Sequence, residues 1–381
     1  LGPPPQPTRD LHPPRPTMAL AAGIVGLPNV GKSTLFNAIT SAGAESANYP
    51  FCTIEPNIGV VDVPDERLEL IHKFIPTDRI VPASVKVVDI AGLVKGASAG
   101  EGLGNKFLGN IKECDAILHV VRCFENGDII HVHGQVDPKT DIEVIELELA
   151  MADLETLQKA ADRTAKKARA GDKDAVFEKE VFARAIQALE AGKPLRTESW
   201  SPRELEALKP LFLITIKPVL FVANVSDKDL DGKHPFVAVV RAYAERTGAR
   251  MIALCGNLEG EIAALDPADR AEFLREMGIA EPGLSRLARA TYDLLGLQTF
   301  FTAGQKEIRA WTIQKGWAAP QAAGVIHSDF EKLFIRAEIY SIDDLVKHGS
   351  EAAIKAAGKL RVEGRDYVMR ESDVCHFLIG K

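Results

Sequence analysis

Runs of apolar, β-branched residues alternate along the chain with stretches whose apolar positions recur at three- and four-residue steps. The run at 20–25 (LAAGIV) reads as a strand, and a helix is expected from about Lys32 to Thr40. Further strands are expected at 57–63, 84–90 (SVKVVDI), 116–122 (AILHVVR), 217–223 (KPVLFVA) and 250–254 (RMIAL). Such strands, separated by helices, imply a mostly parallel sheet covered on both faces, an α/β fold.

The alternation stops between about Thr140 and Pro210. Residues 141–168 and 174–191 both carry the helical period, with Ala170-Gly171-Asp172 between them as a turn. That pattern predicts an antiparallel helical hairpin, inserted into the sheet domain over 141–210. From about Gln298 the texture changes again. Short strands (TFFTA, EIRAWTI), a Pro-led stretch at 320–334, a helical stretch at 342–348 and strands near 359–363 and 374–379 describe a separate α+β domain at 298–381. The sheet domain is then 18–140 together with 211–297. Residues 1–17 hold seven prolines and suit neither helix nor sheet, so a disordered tail is expected there, with Met18 the true first residue.

The net charge of −7 argues against a grip on nucleic acid through bulk charge, but leaves room for a local basic patch. The five cysteines, Cys52, Cys114, Cys123, Cys255 and Cys375, form no C-x-x-C pair and have no zinc spacing. Reduced thiols in a cytoplasmic protein are the expectation. No apolar run approaches the ~20 residues that span a bilayer, and no secretory signal is visible.

Chemistry enters at Gly26-Leu-Pro-Asn-Val-Gly31-Lys32-Ser33, which matches G-x-x-x-x-G-K-[ST] between a strand and a helix. Glycines let the backbone curl so that the N–H groups of Asn29, Val30, Gly31, Lys32, Ser33 and Thr34 can face phosphates, with the helix dipole behind them. Lys32 would reach the β- and γ-phosphates, and Ser33 would offer its hydroxyl to Mg²⁺. Asp89, at the end of a strand and opening D-x-x-G, suits a Mg²⁺ contact through water, and Gly92 would bring its N–H to the γ-phosphate. Thr53 is expected as a second hydroxyl ligand of the metal. The stretch from Gly92 to Asn105 contains five glycines, as a switch loop requires. Leu93 stands where related enzymes often carry a water-orienting Gln. The base-reading motif is Asn224-Val-Ser-Asp227, where Val225 replaces the Lys of guanine readers. The loop Cys255-Gly-Asn257 also lacks S-A-K, so guanine specificity is weakened.

Gly26–Thr34, Asn48–Asn57 (NYPFCTIEPN), Asp89–Ala97 (DIAGLVKGA), His119–Glu125 (HVVRCFE) and Phe300–Asp329 together resemble the YchF family, Obg-related P-loop ATPases. The resemblance runs from Met18 to nearly the C-terminus. It implies a Ras-like domain, an inserted coiled-coil hairpin and a C-terminal ubiquitin-like β-grasp (TGS) domain. It also implies ATP in preference to GTP, Mg²⁺ as cofactor, and association with ribosomes, namely the 70S particle, the large subunit and rRNA. A monomer and no membrane partner are expected. By the same resemblance His131, in Asn126-Gly-Asp-Ile-Ile-His131-Val-His133, is the candidate catalytic residue. Family members usually end the base motif in Glu, whereas Asp227 stands here, so GTP use stays open. The basic residues Arg163, Lys166, Lys167, Arg169 and Lys173 around the hairpin turn suit RNA phosphate, or mark a solvated helix end. Two alternatives stand: a GTPase of the Obg type, and a nucleotide-regulated binding module with negligible turnover.

Overall fold

The computed structural model describes residues 20–44, 57–90, 103–132 and 134–380. The 1–17 tail, Thr53, Gly92, Leu93 and His133 lie outside the described residues. The described chain divides into two units, one of Leu20–Asp65 and Pro82–Leu297, the other of Glu66–Val81 and Gln298–Lys381.

The first unit opens with β1 (Ala21–Val25), α1 (Lys32–Ala44) and β2 (Ile58–Val63). The chain leaves it for α2 (Glu66–Phe74) and β3 (Ile80–Val81), then returns as β4 (Ala83–Asp89), α3 (Leu103–Glu113) and β5 (Ala116–Arg122). After the hairpin α4 (Pro138–Arg169) and α5 (Lys173–Glu190) come α6 (Pro202–Leu208), β6 (Val219–Asn224), α7 (Pro235–Arg246), β7 (Arg250–Leu254), α8 (Gly256–Ala263), α9 (Pro267–Glu276) and α10 (Gly283–Leu294). The strands make one sheet in the order β2-β4-β1-β5-β6-β7. Only β2 runs antiparallel to its neighbour; the other pairs are parallel. Every residue of β5 and β6 is buried, as expected of inner strands covered on both faces. Successive connections from β1 go to opposite sides of it, so the carboxyl ends of β1, β4, β5 and β6 meet at a topological switch point, where open α/β sheets bind ligands.

Asp137 starts the hairpin by accepting from the Lys139 and Thr140 amides, and Pro138 occupies the first turn, where its missing N–H costs nothing. Gly171, at φ 85°, turns the chain, and Asp172 caps α5. Leu157, Val181, Phe182, Ala185 and Leu189 form the seam between the helices, closed by Leu195, Leu208 and Leu213. The returning chain is fixed by Asp153, whose fully buried carboxylate accepts from the Ile214 amide at 2.8 Å and from the Thr215 amide and hydroxyl at 2.7 Å. All five basic residues at the tip are exposed, and none is ion-paired among the described residues.

In the second unit β8 (Leu297–Ala303), β9 (Ile308–Gln314), α11 (Ala319–Ile326), α12 (Ser328–Lys332), β10 (Phe334–Ser341), α13 (Ile342–His348), α14 (Glu351–Ala356), β11 (Arg361–Glu363) and β12 (Asp373–Ile379) follow in order. The sheet runs β11-β10-β12-β8-β9-β3, with β12 parallel to β8 at its centre. That is the strand order of a β-grasp. Phe300 and Phe377 from the sheet and Ala322 and Ala323 from α11 are in its core. Glu66–Val81, expected in the nucleotide domain, belongs instead to this unit. The reason is in its contacts: β3 pairs with β9, and Arg67 donates to Glu371 and Ser372 at 2.6 and 2.8 Å and lies over the Phe301 ring.

Candidate nucleotide site

The loop between β1 and α1 folds under three local constraints. Gly26, at φ 154°, sits where a Cβ would lie 2.5 Å from the Val120 carbonyl oxygen. Gly31, at φ 98°, sits where a Cβ would lie 2.1 Å from the Asn224 amide nitrogen. Asn29 is left-handed at φ 62°, a conformation that Asn tolerates better than most side chains, and its Nδ2 donates to the Ile130 carbonyl at 3.2 Å. Asn224, at the end of β6, then locks the loop from the side. Its Nδ2 donates to the Val30 carbonyl at 2.9 Å and its Oδ1 accepts from the Gly256 amide at 3.0 Å. One buried amide thus ties the phosphate loop to the turn after β7.

Asn29, Gly31, Lys32, Ser33, Thr34, Asn224 and Val225 line one cavity of about 860 Å³. Val30 is buried behind it. Lys32 is 7% exposed and donates to the Leu27 carbonyl at 2.6 Å. Burial pushes its ammonium down to about 8, while the Asp89 carboxylate pulls the other way. Asp89 comes next to this loop through the β1–β4 register, which pairs it with Ile24. Its carboxyl is held above the usual range by burial, with Lys32 opposing. Ser33 is exposed on the cavity side. A hydroxyl and a carboxylate here are the hard oxygen donors that suit Mg²⁺.

Asp227 also lines the cavity and is exposed. Two backbone amides beside it, of Val225 and of the loop after β7, are already engaged. The Val225 amide donates to the Leu254 carbonyl at 2.9 Å, and the Gly256 amide is taken by Asn224. Backbone reading of a base by these two amides is therefore closed.

His131 is not among the cavity-lining residues. Its ring is buried, with Nε2 2.9 Å from Asp141 Oδ2, on the first turn of α4. The wall beside it is built by a residue that sequence reasoning did not single out. Arg122, 1% exposed, donates to the carbonyls of Phe124, Asn126 and Ile129 at 3.1–3.2 Å and stacks on the Phe124 ring. Phe124, Glu125, Asn126 and Ile129 line the cavity as a result. The signal was an arginine ending a strand that is otherwise apolar except for His119, where charge is rarely buried without a task. Phe273 and Met277 of the α9 region also line the cavity and carried no sequence signal.

Comparison with known proteins agrees with this geometry. A family profile described as 50S ribosome-binding GTPase matches residues 21–160, and the YchF GTPase C-terminal profile, described as a protein of unknown function, matches 297–380. The ribosome-binding ATPase YchF of Pasteurella multocida is 53% identical over 360 residues, 94% of this chain and 99% of the relative. That of Escherichia coli O157:H7 is 53% identical over 363 residues, 95% of this chain and 100% of the relative. The solved structure of the Schizosaccharomyces pombe YchF GTPase superposes with a TM-score of 0.86 at 39% identity, covering 96% of this chain and 99% of that one. With relatives this similar along nearly its whole length, the chain belongs to the YchF family.

Proposed function

We propose that this protein is a Mg²⁺-dependent ATPase that switches with its bound nucleotide and associates with ribosomes in the cytoplasm, as a monomer contacting the 70S particle and the large subunit through rRNA. The observation that carries the nucleotide reading is the loop itself: Asn29 to Thr34 curled over a cavity of about 860 Å³ lined by Lys32, whose charge is opposed by the carboxylate of Asp89 at the end of β4. The ribosome reading rests on the unpaired basic tip of the hairpin and on what the bacterial relatives are called.

When triphosphate binds, Lys32 leaves the Leu27 carbonyl for the phosphate oxygens. Ser33 and Asp89, with Thr53, would hold Mg²⁺, which supplies charge neutralisation on the β- and γ-phosphates. Gly92 would present its N–H to the γ-phosphate. His131 is assigned the orientation of attacking water, since Leu93 has no polar group for it. Its pairing with Asp141 means that the 126–131 loop must rearrange for the ring to reach the phosphates.

Asn224 is committed to the loop, and the Val225 amide is taken by the Leu254 carbonyl. A site that merely drops guanine contacts discriminates weakly, so ATP should bind more tightly than GTP by roughly tenfold or less. A second reading, the Obg-type GTPase, is favoured by one observation: Asp227 stays exposed on the cavity wall, able to accept from guanine N–H groups. Competitive titration of purified protein with ATP and GTP decides between them. Asp227→Ala should leave ATP affinity nearly unchanged and lower GTP affinity. Tighter GTP than ATP binding in the wild type would restore the GTPase reading.

A further inference from the structure

No side chain of α9 (Pro267–Glu276) is fully buried, and Arg270, Phe273 and Leu274 are half-buried. A ten-residue helix is marginal in water unless an apolar face is packed, because its nucleus is costly to form. The bonds that tie this one down come from Arg270, which donates to the Ile262 and Leu265 carbonyls near the end of α8 at 3.2 and 3.0 Å. Its apolar pair, Phe273 and Met277, is spaced i, i+4 and so shares a face. Both residues line the cavity that contains the phosphate loop, and Met277 is 44% exposed. Val225 and Leu258, buried in the core, line the same cavity.

We propose that α9 is a lid for the nucleotide base: the purine ring packs on Phe273 and Met277 and completes the face that the helix leaves unburied. This rests on the reading of the cavity as a nucleoside triphosphate site. The occupant follows from continuity, because a molecule whose phosphates lie at Lys32 must put its other end elsewhere in this cavity, and outside the core the apolar surface it offers is Phe273 and Met277 together with Phe124 and Ile129. Stacking on an aromatic ring accepts any base, since every base has a π-face. The lid therefore sets affinity for the ring as such, while the choice between adenine and guanine is left to the polar groups at 224–228.

The test compares ATP with inorganic tripolyphosphate, which has the phosphates and no base. In the double variant Phe273→Ala, Met277→Ala, calorimetry should show ATP affinity falling by about tenfold or more, the size expected for a lost stacking contact, with tripolyphosphate affinity unchanged. Neither side chain belongs to the core, so the unliganded melting temperature should hold. Hydrogen exchange on the unaltered protein gives an independent readout: ATP should slow exchange in α9 and tripolyphosphate should not. Unchanged ATP affinity in the variant, an equal loss for both ligands, or α9 amides indifferent to ATP would each overturn the lid. A wild-type protein that binds neither ligand would overturn the nucleotide reading itself, which is a different failure.

Discussion

Lys32 rests its ammonium on the Leu27 carbonyl in a site that leaves it 7% exposed. Burial has already brought its pKa down to about 8, so the free protein stands near the point of losing that proton in mildly alkaline solution. A triphosphate stabilises the charged form and raises the pKa again. Binding is then pH-independent through this group below about 8. Above it the affinity should fall by up to about tenfold per pH unit, because the proton must be taken up on binding. In Lys32→Ala, ATP affinity should drop at least about tenfold, roughly 1.4 kcal/mol, and the alkaline fall should vanish. Titrations from pH 7 to 9.5 on both proteins check this, and an unchanged affinity in the variant would remove the phosphate-loop assignment. His131→Ala belongs to the same scale. Turnover should fall by about a hundredfold, the low end for a general acid–base group, with ATP affinity nearly kept. Equal turnover would leave His131 as a packing partner of Asp141. At this scale the sequence was legible where spacing dictates geometry, as in the phosphate loop. It was opaque where a role arises only from tertiary placement, as with Arg122 beneath its loop or Phe273 at the cavity.

The hairpin is the element most readable in advance, since apolar positions recur at three- and four-residue steps along both helices and cap residues mark their starts. The sequence pattern does not mark β10 as a strand. A bulge between Phe334 and Arg336 shifts the alternation, so its polar and apolar positions do not fall on a clean period of two. Residues 66–81 leave the sheet domain expected over 18–140 because a two-residue strand takes its place from a partner far along the chain, which no local pattern records. The basic tip gives a prediction at this level. Lys166, Lys167 and Arg169 are exposed and unpaired among the described residues, so reversing all three to Glu should not disturb the seam formed by Leu157, Val181 and Phe182. If the tip contacts RNA phosphate, ribosome association should weaken. The slope of log affinity against log salt should flatten by about 2 to 3, following roughly 0.7–0.9 per lost phosphate contact. Co-sedimentation indifferent to the triple reversal would make the tip a solvated helix end.

Across the whole chain a net charge of −7 opposes approach to RNA, so any ribosome contact through phosphate has to be concentrated where cations gather. The hairpin presents such a cluster, and the start of its first helix is linked to the phosphate loop through the 130–131 segment. Asn29 in the phosphate loop donates to the Ile130 carbonyl, and the next residue, His131, pairs with Asp141 on the first turn of α4. From there α4 runs through 32 residues, about 48 Å at 1.5 Å per residue, to the basic turn. A rearrangement of the 126–131 loop on binding triphosphate would thus act at the base of a long lever. If the two ends are coupled, ribosomes should bind the ATP-analogue and ADP forms with affinities differing by about 5- to 150-fold, the usual range for such couplings. Linkage makes the converse binding: ribosomes must change the relative affinity for the two nucleotides by the same factor. Both sides can be measured, by co-sedimentation in each nucleotide and by nucleotide titration with and without ribosomes. Unequal factors would expose an uncontrolled third equilibrium, and equal ribosome affinities in all forms would reduce the protein to a binding module whose nucleotide serves only its own fold.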